Sequence, residues 1–127
     1  MISKPLIKLD CTFRDGGYYN NWDFEPRLIK EYLHSMVAAK IDIVELGFRF
    51  IENIGFKGAC AFSKDKFLKS FDVPKELMVS VMINASDILG DLGIEESLKV
   101  LFPEVSKNSP VNIVRIACHF HEVEKIM

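Results

Sequence analysis

Four short apolar runs alternate along this chain with segments whose apolar residues return at helical spacing, and that alternation constrains the fold more than any other feature. Pro5 to Cys11 reads as a buried strand, and Gly16-Gly17 soon after it reads as a turn. From Pro26 the period changes. Leu28, Ile29, Tyr32, Leu33, Met36 and Val37 recur at helical spacing, and proline suits a first helical turn. Ile41 to Phe48 is the second strand. A loop rich in glycine and aromatics, "FIENIGFKGACAF", then leads to "SKDKFLKSF", where Ser63 is expected to cap a short helix. Leu77 to Ile83 is the third strand. Gly93 to Val105 has Leu98, Leu101 and Phe102 on one side of a helix that Pro103 ends or kinks. Val111 to Ala117 is the fourth strand, and "HEVEKIM" starts another helix. Strands separated by helices predict a parallel α/β sheet in the order 1-2-3-4 with right-handed crossovers. Two architectures satisfy this pattern, an open doubly wound sheet and a piece of a (β/α)8 barrel.

Composition narrows the possible roles. The 127 residues, 49% hydrophobic and 27% charged, suit one globular unit with a core, and no linker or low-complexity tract divides residues 1–127. A formal charge of -2 gives no net basic field, so no nucleic-acid partner is expected. "MISKPLIKLD" lacks the apolar core of a signal peptide, and no apolar run reaches the roughly 20 residues that span a bilayer. The expectation is a cytoplasmic protein with no membrane partner. Cys11, Cys60 and Cys118 form no C-x-x-C pair and suggest neither a disulfide framework nor a thiolate zinc site.

In both architectures chemistry gathers at the carboxyl ends of the strands. Arg14, Asp15, Glu45, Arg49, Asn84 and His119 all fall at or just past those ends. A carboxylate there can bind a hard divalent cation, and a guanidinium beside it can hold a carbonyl or carboxylate and stabilise an enolate. The alternative for Arg14 and Asp15 is a local salt bridge closing a turn, or an Asp15 that caps the next segment. Arg49 is read as reaching an acidic substrate or pairing with Glu52. His119 and His121 of "HFH" point to one side of a strand, lining the mouth of the site or standing exposed at a strand end.

"LDCTFRDGG" closely resembles the first-strand signature D-x-T-L-R-D-G of the DRE-TIM metallolyases, and "IVELGF" resembles their second-strand segment. The longer stretches "RDGGYYNNWDF" and "ELGFRF" look most like the aldolase-type branch, which includes 4-hydroxy-2-oxovalerate aldolase. The resemblance implies parallel β/α units of a TIM (β/α)8 barrel, with about half a barrel in these residues. It implies a divalent-metal-dependent carbon-carbon lyase or aldolase acting on a 2-oxo acid or acyl substrate through an enolate. By the same resemblance Asp15 is the metal ligand, Arg14 the enolate-stabilising arginine and Glu45 the second-strand glutamate of the Asp-Arg-Glu triad. The implied cation is Mg²⁺ or Mn²⁺. Tyr18 stands where the aldolases have a histidine for proton transfer, and Asn84, Arg49 and His119 are the candidate substrate contacts. The family's H-x-H belongs near the seventh strand, whereas "HFH" sits at the fourth. Two alternatives stay open: a non-catalytic half barrel, and an acyl-transferring relative like isopropylmalate synthase. Exposed sheet edges predict a homo-oligomer, and the 127-residue chain alone is expected not to turn over.

Overall fold

A computed structural model of the chain describes residues 6–52 and 54–127. Its frame is one four-stranded sheet in the order β1 (Leu9–Asp10), β2 (Ile43–Phe48), β3 (Met78–Asn84), β4 (Ile113–Ala117). Every neighbouring pair is parallel, as the alternation of strand and helix signals predicts. The connections carry α1 (Thr12–Asn20) and α2 (Pro26–Ala38), α3 (Asp65–Lys69), then α4 (Ala85–Ile88) and α5 (Gly93–Leu101), with α6 (Val123–Ile126) after the last strand. Among the described residues no helix is long and apolar enough to cross a membrane.

The first strand departs from its expected course. Pro5 lies outside the described residues, and β1 is two residues long. Asp10 ends it: its Oδ1 accepts the Thr12 amide at 3.0 Å and its Oδ2 the Thr12 hydroxyl at 3.1 Å, and the backbone turns at once into a helix. Gly16 and Gly17 therefore lie inside α1 instead of forming a turn. Trp22 explains the second glycine, because a Cβ on Gly17 would stand 1.9 Å from the indole Cδ1. The turn follows at Asn21 and Trp22, both in the left-handed region with φ of 57° and 58°. Asn20 closes it by accepting the Trp22 amide and donating to the Asp23 carbonyl.

Ser63 is a second correction. It does not cap α3; it is fully buried and donates to the Cys60 carbonyl at 2.9 Å, while Lys64 occupies the cap position. Pro26 opens α2 as expected, and α5 ends before Pro103, which cannot continue a helical ladder.

All six residues of β2 are buried, as a central parallel strand covered on both faces requires. Val44, Leu46, Phe48, Val79 and Val81 join Phe13, Ile29, Leu33 and Leu68 in the main core, and Ile83, Ile88 and Leu101 form a smaller one. The outer strand β4 is more open, with Val114 and Ile116 each 42% exposed.

The β2–β3 register slips once. Glu45 pairs with Ser80 and Phe48 with Met82, so three steps on β2 match two on β3. The slip coincides with Gly47, where a Cβ would fall 1.8 Å from the Cys60 carbonyl oxygen. Backbone cannot yield there as a flexible side chain would. Gly47→Ala should therefore lose about 3 kcal/mol or fail to fold, whereas Gly90→Ala, whose nearest atom would be 3.5 Å away, should stay within about 0.5 kcal/mol of the parent. Urea denaturation of the two variants checks this, and equal midpoints would contradict it.

Candidate functional site

The carboxyl ends of the strands carry a buried polar cluster centred on Glu45, which has no exposed surface. Its Oε1 meets Arg14 Nε at 2.7 Å and Arg115 Nη1 at 3.1 Å, and its Oε2 accepts the Ser80 hydroxyl at 2.9 Å. The sheet register accounts for the gathering. Glu45 pairs with Ser80, and Met82, two residues further along β3, pairs with Arg115, so these side chains share one face.

Arg14 comes to this face from the first turn of α1 and is braced on several sides. Its carbonyl accepts the Trp22 indole N–H at 2.9 Å, and its guanidinium lies over the Phe48 ring with 5.7 Å between the guanidinium carbon and the centroid. Nη2 contacts Asp15 Oδ1 at 3.0 Å. The Nε–H does not point along its short approach to Glu45, so that contact is a charge pairing and not an aligned hydrogen bond. Burial works against the Arg14 cation, but Cys11, Asp15 and Glu45 outweigh it and hold its pKa above the ordinary arginine value. Arg14 is a fixed positive charge.

Asp15 is more exposed, at 60% of its side chain. Its second oxygen accepts the Cys11 thiol at 3.4 Å, and burial followed by this carboxylate pushes the Cys11 pKa up, so Cys11 is a neutral thiol. A hard divalent cation takes about six oxygen ligands. Asp15 offers one carboxylate already in contact with Arg14 and Cys11, and among the described residues no three His, Cys, Asp or Glu side chains converge as a metal-binding group. The residues present do not make a complete cation site.

The remaining expected residues are dispersed. Tyr18 is 64% exposed and stands edge-on to Trp22 and Phe48, which puts it beside the aromatic wall of the Arg14 site. Asn84 and His119 meet in a separate cleft of about 320 Å³, lined also by Ser86, Ala117, Cys118 and Glu122. There the His119 amide donates to Glu122 Oε2 at 2.7 Å, and the His119 and His121 rings stack 5.6 Å apart.

Arg49 is the clear correction. It is 2% exposed, and it pairs with Asp65 at 2.6 Å and donates to the Ser63 and Leu101 carbonyls. With Phe102 over its guanidinium, it ties the second-strand loop to α3 and α5, and its carboxylate partner is Asp65 instead of Glu52.

Ser80 and Arg115 are site residues that the sequence reading passed over. The signal was present in each case, a single polar residue inside an apolar strand run, "LMVSVMI" and "VNIVRIA".

The sequence matches no family model and no curated protein. Among solved structures it is similar to the N-terminal domain of a "putative aldolase" from Bacteroides vulgatus, with a TM-score of 0.72 and 26% identity. The match covers 95% of this chain and 38% of that one, so the chain spans well under half of its neighbour's length. The neighbour supports an aldolase-type α/β domain.

Two outcomes follow from the cluster. Glu45→Gln leaves two guanidiniums without their shared counter-charge, and stability to urea should fall by about 3 kcal/mol; a loss below about 1 kcal/mol would mean that the cluster is held by packing alone. At the base of the site, burial raises the Asp10 pKa, but hydrogen bonds from Tyr32 and Thr12 outweigh it, leaving the carboxyl below its ordinary value of 3.8. The stabilisation from this depressed pKa is present above pH 3.8 and lost as pH falls through the folded-state pKa. Tyr32→Phe should make stability less dependent on pH in that acid range. Urea midpoints measured from pH 2 to 6 check this, and an unchanged slope would contradict it.

Proposed function

We propose that this chain is part of a DRE-TIM-type (β/α)8 barrel that breaks or forms a carbon-carbon bond next to the carbonyl of a 2-oxo acid or acyl substrate. The observation that carries the reading is Arg14, a permanently charged guanidinium held by Glu45, Phe48 and Trp22 at the carboxyl end of a parallel sheet. Its electrostatic role is to face the oxygen on which negative charge develops, and a cation already fixed in place needs no reorganisation when that charge appears.

In the cleavage direction a base takes the proton of the substrate's hydroxyl. The bond between that carbon and the carbon next to the ketone then breaks, an aldehyde or ketone leaves, and the electron pair moves onto the ketone oxygen opposite Arg14. Protonation of the remaining carbon completes the 2-oxo acid. Tyr18, beside the aromatic wall, is the candidate for proton transfer. Asn84 and His119, in their own cleft, are candidate contacts for the far end of the substrate. Mg²⁺ or Mn²⁺ suits the oxygen chemistry of Asp15, but a single carboxylate is not a site and no step here depends on the ion. The outer edges of β1 and β4, unpaired in the sheet of described residues, are the surfaces by which copies or further barrel strands would join.

Enolisation can be tested without a full aldol substrate. With Mn²⁺ in deuterated buffer the complete barrel to which this chain belongs under this reading should exchange the methyl protons of pyruvate, followed by NMR. Arg14→Lys keeps the charge but loses the planar fork, and should slow the exchange by about a hundredfold while pyruvate affinity changes little. Exchange at the parent rate in Arg14→Lys would reduce Arg14 to a structural partner of Glu45, and no exchange in the parent protein would reject the enolate reading.

A further inference from the structure

The interior holds a second charge pair that the reaction above does not use, Arg49 with Asp65. Both side chains are more than nine-tenths buried, with 3% and 8% of their surface exposed. Asp65 uses one oxygen twice: Oδ1 accepts from Arg49 Nη2 at 2.6 Å and from the Ser109 hydroxyl at 2.7 Å. Its Oδ2 is buried and has no partner among the described residues. Arg49 is incompletely matched as well. A guanidinium carries five N–H donors, and Arg49 directs one from Nε to the Ser63 carbonyl, one from Nη1 to the Leu101 carbonyl and one from Nη2 to Asp65.

An orphaned acceptor in the interior calls for an explanation, and here a space adjoins it. Two clefts of about 280 and 320 Å³ lie between the loop after β2 and α5, and Arg49, Lys64, Val100 and Leu101 line both. Phe50 and Phe62 complete the walls of the first, Asp65 and Pro103 those of the second. With four residues in common the two clefts form one groove, floored by the ion pair. Its walls come from the β2–β3 and β3–β4 connections, so it does not depend on either outer edge of the sheet.

We propose that this groove is a second ligand site, for a small aromatic molecule that carries a neutral amide edge. The amide oxygen accepts from Arg49, the amide N–H donates to Asp65 Oδ2, and the ring lies against Phe50, Phe62 and Val100. The charge of the floor selects the head group. Arg49 and Asp65 are neutral as a unit, so a carboxylate would face the Asp65 oxygen and an ammonium would face the guanidinium, each without its complement. The site is distinct from that of Arg14 but shares a wall with it. Phe50 stacks on Phe48 with 4.6 Å between centroids, and Phe48 lies under the Arg14 guanidinium. Trp22, the single tryptophan of the chain, stands edge-on to Phe50 at 5.3 Å and so reports on the groove. The inference goes beyond the enolate reading and stands independently of it.

Benzamide is the probe. Calorimetric titration of the protein should give saturable binding, with a change in Trp22 fluorescence over the same concentrations. N,N-dimethylbenzamide lacks the N–H donor and benzoate replaces it with a charge, so each should bind at least about tenfold more weakly. The benzoate comparison is the stricter one, because the exposed Lys64 and Lys66 of the groove would favour an anion held by charge alone. Asp65→Asn puts an N–H donor on a side chain whose free atom is an acceptor, and should weaken benzamide by at least about tenfold. Val100→Trp fills the groove from an exposed position on α5 and should abolish binding, measured by calorimetry, with its urea midpoint near that of the parent. Ile94→Trp, on the same helix but lining neither cleft, should bind like the parent. If the buried pair does not tolerate Asp65→Asn and that variant fails to fold, Val100→Trp and the three-probe comparison decide. Benzoate affinity equal to that of benzamide, parent-like benzamide affinity in a folded Asp65→Asn or Val100→Trp variant, equal losses in Ile94→Trp, or no saturable benzamide binding by the parent would each overturn the site.

Discussion

A carboxylate with no access to water has to be compensated on the spot, and Glu45 imposes that requirement on the centre of the sheet. The desolvation of its charge is offset by two guanidiniums and one hydroxyl, drawn from the helix after β1, from β4 and from β3. Three segments far apart in sequence are thereby tied to one pair of oxygens. Displacing any of them would leave a buried charge short of partners, which is a stronger restraint on strand register than apolar contacts alone supply. The aromatic residues nearby serve the same end. Trp22 holds the Arg14 backbone and Phe48 lies under its guanidinium, so the cation is fixed at both ends of its side chain.

Much of this was legible in the sequence, and what was not has identifiable causes. The alternation of strand and helix periods gave all four strands and their order, because central parallel strands are apolar on both faces and stand out from amphipathic helices. Glu45 and Arg14 could be singled out as polar residues at the ends of such runs. The helix at Thr12–Asn20 could not, since two glycines and two tyrosines argue for a turn on local propensity; the capping by Asp10 and the packing of Trp22 override it. Arg49 looked like a site residue for the same reason as Arg14. What separates them is tertiary: Arg49 finds Asp65 and two carbonyls in the interior, partners that no spacing along the chain announces. Ser80 and Arg115 escaped because a lone polar residue in a strand is most simply read as facing solvent. Only the cross-strand register reveals that both face Glu45.

The helical setting of Arg14 and Asp15 also separates the two side chains in character. Adjacent positions on a helix diverge by about 100°, so one side chain turns to Glu45 while the other turns out to solvent, even though they remain in contact. One residue pair thus supplies a dry, immobile cation and a wet, approachable carboxylate. On a strand the two would have pointed to opposite faces of the sheet.

The irregular step in β2 can be understood as a change of parity. In an unbroken strand Glu45 and Phe48 are an odd number of positions apart and would face opposite sides; here both pair with residues on one face of β3 and both meet Arg14. The slip therefore splits β2 into two phases, in which the residues facing Arg14 are odd-numbered before Gly47 and even-numbered after it. Lengths in this stretch are consequently not interchangeable. Regular pairing at the present three-residue spacing would carry the ring away from the guanidinium and to the opposite face of the sheet. A local defect in hydrogen bonding is thus what lets a single strand present a charge and an aromatic surface to the same cation.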